Sequence, residues 1–189
     1  MTGLEIKTLA ELHTEDLAIE DNQAVVFINE CILMDLGKDA RVIASHTLDA
    51  EKDTWVDLPR SFLSVFEIEK EGKPTPYYGR KYGAFYDGDF DIRDNKIRFA
   101  ESGTFTLWGY VMPPVFTDLQ REPGVHEILH YPIAIYVASR AIFWDDEENP
   151  TAQMKMNEYF MYKQKALEQL AEIQPTTSRI RMVRMRPLA

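Results

Sequence analysis

Cysteine is almost missing from these 189 residues: Cys31 stands alone, and one thiol closes no intrachain disulfide. It falls in an apolar run, Phe27 to Met34, and a reducing cytoplasm is the expected setting. Positive charge is scarce as well. Lys and Arg number 21 against 31 Asp and Glu, a formal net charge of −10, which argues against a general grip on nucleic acid or an anionic membrane. No run of about 18 apolar residues occurs. Met1 to Ala10, which contains Glu5, is too polar for a signal peptide, so a soluble, non-exported chain is expected. Gly-rich phosphate loops and G-x-S-x-G elbows are absent too, and Cys31 has no basic residue near it in sequence, which removes the commonest nucleophile arrangements.

What is present is apolar and aromatic material, 45% and 12% of the chain, enough for one sizeable core with a small additional unit. Leu9, Leu12, Leu17 and Ile19 alternate with acids, and Thr8 with Glu11 reads as a capping box, predicting a short first helix over 8–21. Val25, Val26, Ile28, Ile32, Leu33 and Leu36 lie mostly three or four apart. They predict a helix over 22–36 with Asn22 as its cap and Gly37 as its left-handed exit.

From Arg41 to Met112 the texture changes to β-branched and aromatic residues in short alternating runs. Strands are expected at 41–46, 54–58, 63–70, 82–86, 96–99 and 104–111, with turns at Asp94-Asn95 and Ser102-Gly103. Pro113-Pro114 ends the run, and a polar link follows over 117–124. Ile133, Ala134, Val137, Ala138, Ala141 and Ile142 give the next helix a wide apolar face, with Pro132 in its first turn. Asn149-Pro150 opens a long second helix whose apolar set is Ala152, Met156, Tyr159, Phe160, Ala166, Leu167 and Leu170. The expected architecture is α+β: N-terminal helices (1–40) and a C-terminal helical hairpin (117–174) form a small bundle, a β-rich insert (41–116) interrupts it, and an extended basic tail (175–189) closes the chain.

Three patterns invite a chemical reading. His126-Glu127-Ile128-Leu129-His130 matches H-E-x-x-H, in which two imidazoles one helical turn apart bind zinc beside a general-base glutamate. Pro132 crowds that turn and Pro123-Gly124 precedes it, whereas the motif needs a continuous helix. A loop-to-helix junction is therefore the expected setting, and a small zinc metallopeptidase using His126, Glu127 and His130 is the alternative; no metal or other cofactor is expected. Asp87-Gly88-Asp89-Phe90-Asp91 looks like a fragment of a calcium loop without its closing glutamate. Tyr77, Tyr78, Tyr82, Phe85 and Tyr86, beside Arg80 and Lys81 but also Asp87, Asp89 and Asp91, read as sheet packing or a protein interface.

The C-terminus differs from everything before it, since Arg179, Arg181, Arg184 and Arg186 interleave with Ile180, Met182, Val183 and Met185. Such a segment suits an extended strap or strand laid on another chain, a phosphate contact, or a solvated end.

The stretch Val56-Asp57-Leu58-Pro59-Arg60-Ser61-Phe62-Leu63-Ser64-Val65, then Gly103-Thr104-Phe105-Thr106-Leu107-Trp108-Gly109-Tyr110 with Pro113-Pro114, then an Ala-rich helix, an acidic turn and Asn149-Pro150-Thr151-Ala152 come in a telling order. In that order the chain, from Asn22 to Ile173, resembles the head-to-tail adaptor (connector) proteins of tailed bacteriophages. The resemblance implies a non-enzymatic virion protein, assembled in the host cytoplasm. It implies a homo-oligomeric ring, commonly twelve-fold, beneath the portal protein, meeting a stopper or other tail protein and extending the channel for double-stranded DNA without sequence-specific binding or a membrane. By the same analogy Arg179, Arg181, Arg184, Arg186 and Leu188 contact the portal. An acidic wall would let DNA slide, although solubility alone also explains acidity. A non-viral domain that binds one protein partner is the remaining alternative.

Overall fold

The computed structural model describes residues 1–14, 17–74 and 90–173. Two compact units emerge, one from Met1–Val42 with the chain from Pro113 through the last helix, the other from Ile43–Met112. The fold class is α+β, with four α-helices and two small antiparallel sheets among the described residues.

In the helical unit, α1 (Gly3–Leu12) starts earlier than the Thr8 pattern suggests. Thr2 is the cap: its hydroxyl accepts from the Glu5 amide at 3.2 Å, and Glu5 accepts from the Thr2 amide at 2.7 Å. Thr8 lies inside the helix and donates to the Leu4 carbonyl. The register is set by burial, because Gly3, Ile6 and Ala10 face the core only if the helix begins at Gly3. There the Phe116 ring and Leu119 backbone come so close that a Cβ on Gly3 would collide with them.

Helix α2 (Asp21–Asn29) begins after Glu20, whose amide donates to Gln23, so Asn22 is inside the helix and not its cap. The helix then widens into a π-helical stretch, Glu30–Leu36, and stops at Gly37 with φ 43°. Hydrogen bonds that reach one residue further put more residues in each turn. Cys31, Ile32 and Leu36 still face inward there.

Helix α3 (His130–Asp145) is the centre of the unit. Ile133 to Ser139 are buried without a break, then Ala141 and Ile142, so the face is wider than a single apolar stripe and the helix is nearly enclosed. Helix α4 (Pro150–Ile173) opens as its sequence suggests, with Asn149 Oδ1 accepting from the Thr151 amide at 2.9 Å. It buries Ala152, Tyr159, Ala166 and Leu170, and its two alanines permit close approach to α3. Ser139 donates to the Ala152 carbonyl at 2.8 Å, and Tyr136 meets Tyr159 edge to face at 5.1 Å. The expected polar link over 117–124 is mostly exposed but anchored in this core: Leu119 within it and Phe116 just before it are buried, and the Asn29 side chain brackets Phe116 by donating to its carbonyl at 2.6 Å and accepting from its amide at 2.8 Å.

The β unit holds a four-stranded sheet in the order β1-β7-β3-β4, from β1 (Val42–Ala50), β3 (Phe62–Lys70), β4 (Lys73–Pro74) and β7 (Gly103–Val111), and a three-stranded sheet β2-β6-β5, from β2 (Val56–Asp57), β5 (Phe90–Arg93) and β6 (Lys96–Phe99). Asp94 and Asn95, at φ 48° and 60°, make the two-residue turn of the β5–β6 hairpin, where Arg93 pairs with Lys96. Strand β5 lies where the calcium-like fragment ends. The β3–β7 ladder shifts register between Phe62 and Ser64 and between Val65 and Glu67, leaving Leu63 and Phe66 as bulge residues. Gly109 sits opposite, and a Cβ there would strike the Ser64 carbonyl and the Phe62 ring. Phe99 and Phe105 stack at 3.7 Å between ring centroids, inside a core that includes Leu58, Ile68, Ile97 and Leu107.

Candidate assembly surfaces

On the α2–α3 side of the helical unit, Arg140 grips Glu30 with two hydrogen bonds of 2.9 and 3.2 Å. Its guanidinium also lies over the rings of Phe27 (5.9 Å) and Phe143 (5.5 Å). Trp144 meets Phe27 edge to face at 6.4 Å yet is 69% exposed. Val26 and Met34, one turn either side of Glu30 on the same ridge, are exposed too. An ion pair thus sits amid four exposed large apolar side chains. A half-exposed pair adds little to stability, but it fixes the aromatic rings around it. Asp145, Asp146, Glu147 and Glu148 follow directly, all exposed. Sequence reading passed over this surface. Its signal was available: Phe143 and Trp144 run on past the periodic apolar set, straight into four acids.

A second feature ties the π-helical stretch to α4. Tyr159 is fully buried and its hydroxyl donates to Asp35, which also accepts from Lys163 Nζ at 2.7 Å. The Cys31 thiol points at the same hydroxyl, 3.6 Å away. Burial, and then the neighbouring Cys31 and Asp35, push the Tyr159 phenol far up, so it stays protonated and can donate. Burial also raises Cys31 to about 12, making it a packed thiol and not a nucleophile.

The outer side of α4 departs from its sequence reading. Phe160, counted with the buried apolar set, is 51% exposed, and Met154 and Met161 are more exposed still. At 100° per residue Phe160 points well away from the Ala152–Tyr159–Ala166 seam. A shallow groove runs along this side, lined by Phe160, Lys163, Gln164, Leu167, Glu168 and Ala171.

The H-E-x-x-H residues straddle a 3-10 turn (Glu127–Leu129) and the first residue of α3. His126 Nδ1 accepts from the Ile128 amide at 3.3 Å, a capping role. His130 is buried, its Nδ1 2.9 Å from the Met1 amino nitrogen. The two imidazoles have separate local tasks and do not share one face of a continuous helix, which zinc ligation by this motif needs. Desolvation, and then the positive amino group, hold His130 below its usual pKa. Among the described residues no cluster of His, Cys, Asp or Glu is arranged to hold a metal. Asp91 of the calcium-like fragment is in β5, paired with Arg93 at 3.1 Å and Arg98 at 3.4 Å. Arg98 also lies 4.8 Å over the Trp55 ring.

Tyr77, Tyr78, Tyr82, Phe85 and Tyr86, the strand expected at 82–86, and Arg179, Arg181, Arg184, Arg186 and Leu188 all lie outside the described residues. No helix among the described residues is long and apolar enough to cross a membrane. The described surfaces are aromatic and methionine-rich with an ion pair among them. The family model of the SU10 adaptor protein matches residues 1–188. The chain belongs to the SU10 adaptor protein family. That is a family of phage head–tail adaptors, which makes this SU10-family adaptor a phage structural component associated with head and tail proteins. The match extends the likeness seen in Asn22–Ile173 to both ends of the chain. No curated protein matches it.

Proposed function

We propose that this adaptor forms a ring beneath the portal, joins the phage head to the next tail component, and extends the channel through which double-stranded DNA passes. The family match over residues 1–188 carries this reading. The exposed Trp144, Phe143, Phe160 and Met161 support it, since a small unit with that much apolar surface gains stability when copies associate. The net charge of −10 supports a lumen that does not hold phosphates. The tail residues Arg179, Arg181, Arg184, Arg186 and Leu188 enter the portal, and the Tyr77–Tyr86 segment meets a neighbouring copy or the tail-side protein. The reading carries no catalytic step.

Negative-stain imaging of the chain mixed with its portal protein tests the reading. Rings capping the portal are the expected result, commonly twelve-fold, and removal of residues 174–189 should abolish capture by the portal. A wild-type chain that neither binds the portal nor assembles on it would overturn the proposal.

A further inference from the structure

We propose that the tip of the α3–α4 hairpin, with Phe143, Trp144 and the acid run Asp145–Glu148, docks a basic, arginine-bearing segment of the protein that follows the adaptor on the tail side. This rests on the ring reading and refines it: Phe143 and Trp144 go to that partner, while Phe160 and Met161 of α4 are left to neighbouring copies.

The backbone fixes the shape of the tip. The Asp146 amide donates to the Ile142 carbonyl at 2.9 Å, the Asn149 amide donates to the Asp146 carbonyl at 3.1 Å, and Asp146 Oδ1 accepts from the Glu148 amide at 3.1 Å. Asp145, Asp146, Glu147 and Glu148 are all exposed on this turn, and none has an ionic partner among the described residues. Trp144 precedes them, 69% exposed, its ring edge to face with Phe27. Phe143, Gln153 and Met156 line a pocket of about 260 Å³ together with Glu147 and Arg140. That guanidinium does not repel a cation, because Glu30 neutralises it through two hydrogen bonds. Within residues 143–148 the tip thus presents free carboxylates, an open indole and the wall of an apolar pocket. An arginine satisfies all three: its guanidinium pairs with carboxylates and stacks on an indole, and its stem fills apolar space.

Charge complementarity selects the occupant. Residues 1–42 and 113–173 hold 19 Asp and Glu against 8 Lys and Arg, so the helical unit of a second copy would bring acid to acid. In the β unit of such a copy, Lys70, Arg93, Lys96 and Arg98 are already paired with acids. The basic stretch without an acid is 174–189, which the ring reading gives to the portal. Position then selects the side. Helix α4 runs 24 residues from Pro150 to Ile173, about 36 Å at helical rise. The tail leaves from one end and the acid tip stands at the other. With the tail in the portal, the tip is the end directed to the next tail component.

The test takes portal-bound adaptor rings and the purified tail protein that binds them. Asp145→Asn, Asp146→Asn, Glu147→Gln and Glu148→Gln together should weaken capture of the tail protein at least ~10-fold and remove most of its salt dependence. Trp144→Ala should weaken it by a similar factor. Both variants should bind the portal as the wild type does, with unchanged helical circular dichroism. All the substituted side chains are exposed, and if one variant fails to fold the other carries the test alone. Capture of the tail protein at wild-type strength by the folded variants would overturn the docking site while leaving the ring. So would self-association of the free chain through residues 174–189 that the four neutral substitutions abolish, since the occupant would then be a second copy. A wild-type chain that never assembles on the portal would remove the ring reading and this site with it.

Discussion

The helical unit and the β unit are held together by different means. In the helical unit, segments far apart in sequence converge on α3 and are tied by polar contacts, Tyr159 with Asp35, Ser139 with Ala152, Asn29 with Phe116, while the buried His130 Nε2 has no hydrogen-bond partner among the described residues. In the β unit the strands β1 and β3 flank the distant β7 and β2 pairs with the distant β6, while β3–β4 and β5–β6 are hairpins, and order comes from backbone ladders, tight turns, two bulges and a stacked pair of phenylalanines. The first arrangement fixes side chains from all sides and leaves apolar surface over on its outer helices. The second fixes backbone and tolerates change on its outward face. On this comparison, loss of one buried group in the helical unit should cost more.

The sharpest way to break the comparison is to empty its best-connected site. Tyr159→Ala removes a fully buried ring and the phenol that donates to Asp35, leaving Asp35 with Lys163 alone. It should cost about 3–5 kcal/mol, read by urea unfolding at the helical circular dichroism signal, with amide exchange in β3 and β7 little changed. Equal loss of protection in both units would merge them. Gly109→Ala puts a methyl group into the Ser64 carbonyl and Phe62 ring. Overpacking of this kind should cost about 1–3 kcal/mol and appear as faster exchange along β3 and β7, not in α3. Asn95→Ala keeps a residue at φ 60° without the side chain that donates to the Leu58 carbonyl at 3.0 Å. A loss of about 1 kcal/mol is expected, confined to the β5–β6 hairpin.

Proton linkage separates the units more gently. His130 is held below its ordinary value of 6.5 by desolvation first and the neighbouring amino group second. The unfolded chain therefore takes up this proton before the folded one does. Stability from this site is complete above about 6.5 and is lost as pH falls from there towards the folded value. The thermal midpoint of the helical unit should decline below pH 6.5, and His130→Gln should flatten that decline; an unchanged slope would show that His130 is not its source. The smallest effect is a silence. Cys31, raised to about 12 by burial, should resist a thiol reagent at pH 8 until the chain is denatured, and rapid labelling of the folded protein would contradict the packing of the π-helical stretch.

Much of the fold was legible because local chemistry and tertiary need agreed. Asp94-Asn95 makes the turn its residue types favour, Lys96–Phe99 is a strand at its expected limits, and Asn149-Pro150 caps and opens α4. Reading failed where two local signals were equal and burial chose between them. Thr8 with Glu11 and Thr2 with Glu5 are the same capping pattern, and only the second puts Ile6 and Ala10 into the core. Strand β5 was hidden because its alternation, Phe90 and Ile92 against Asp91 and Arg93, is short and looks like a turn-rich acidic loop. The candidate surface was less legible still. Phe160 carries the same hydrophobic signal as Tyr159, and one residue of helical rotation separates a buried anchor from an exposed one.

The order of helices and strands, the turns, the acidic balance and the weakness of a zinc reading at His126 and His130 follow from residue types and spacing, because propensities, caps and proline sterics act over a few residues. Which apolar side chains stay outside, and that Glu30 meets Arg140 and Asp35 meets Tyr159 and Lys163 across more than a hundred residues, was decided by packing alone. Periodicity gives a helix its faces, but only its neighbours determine which face they cover.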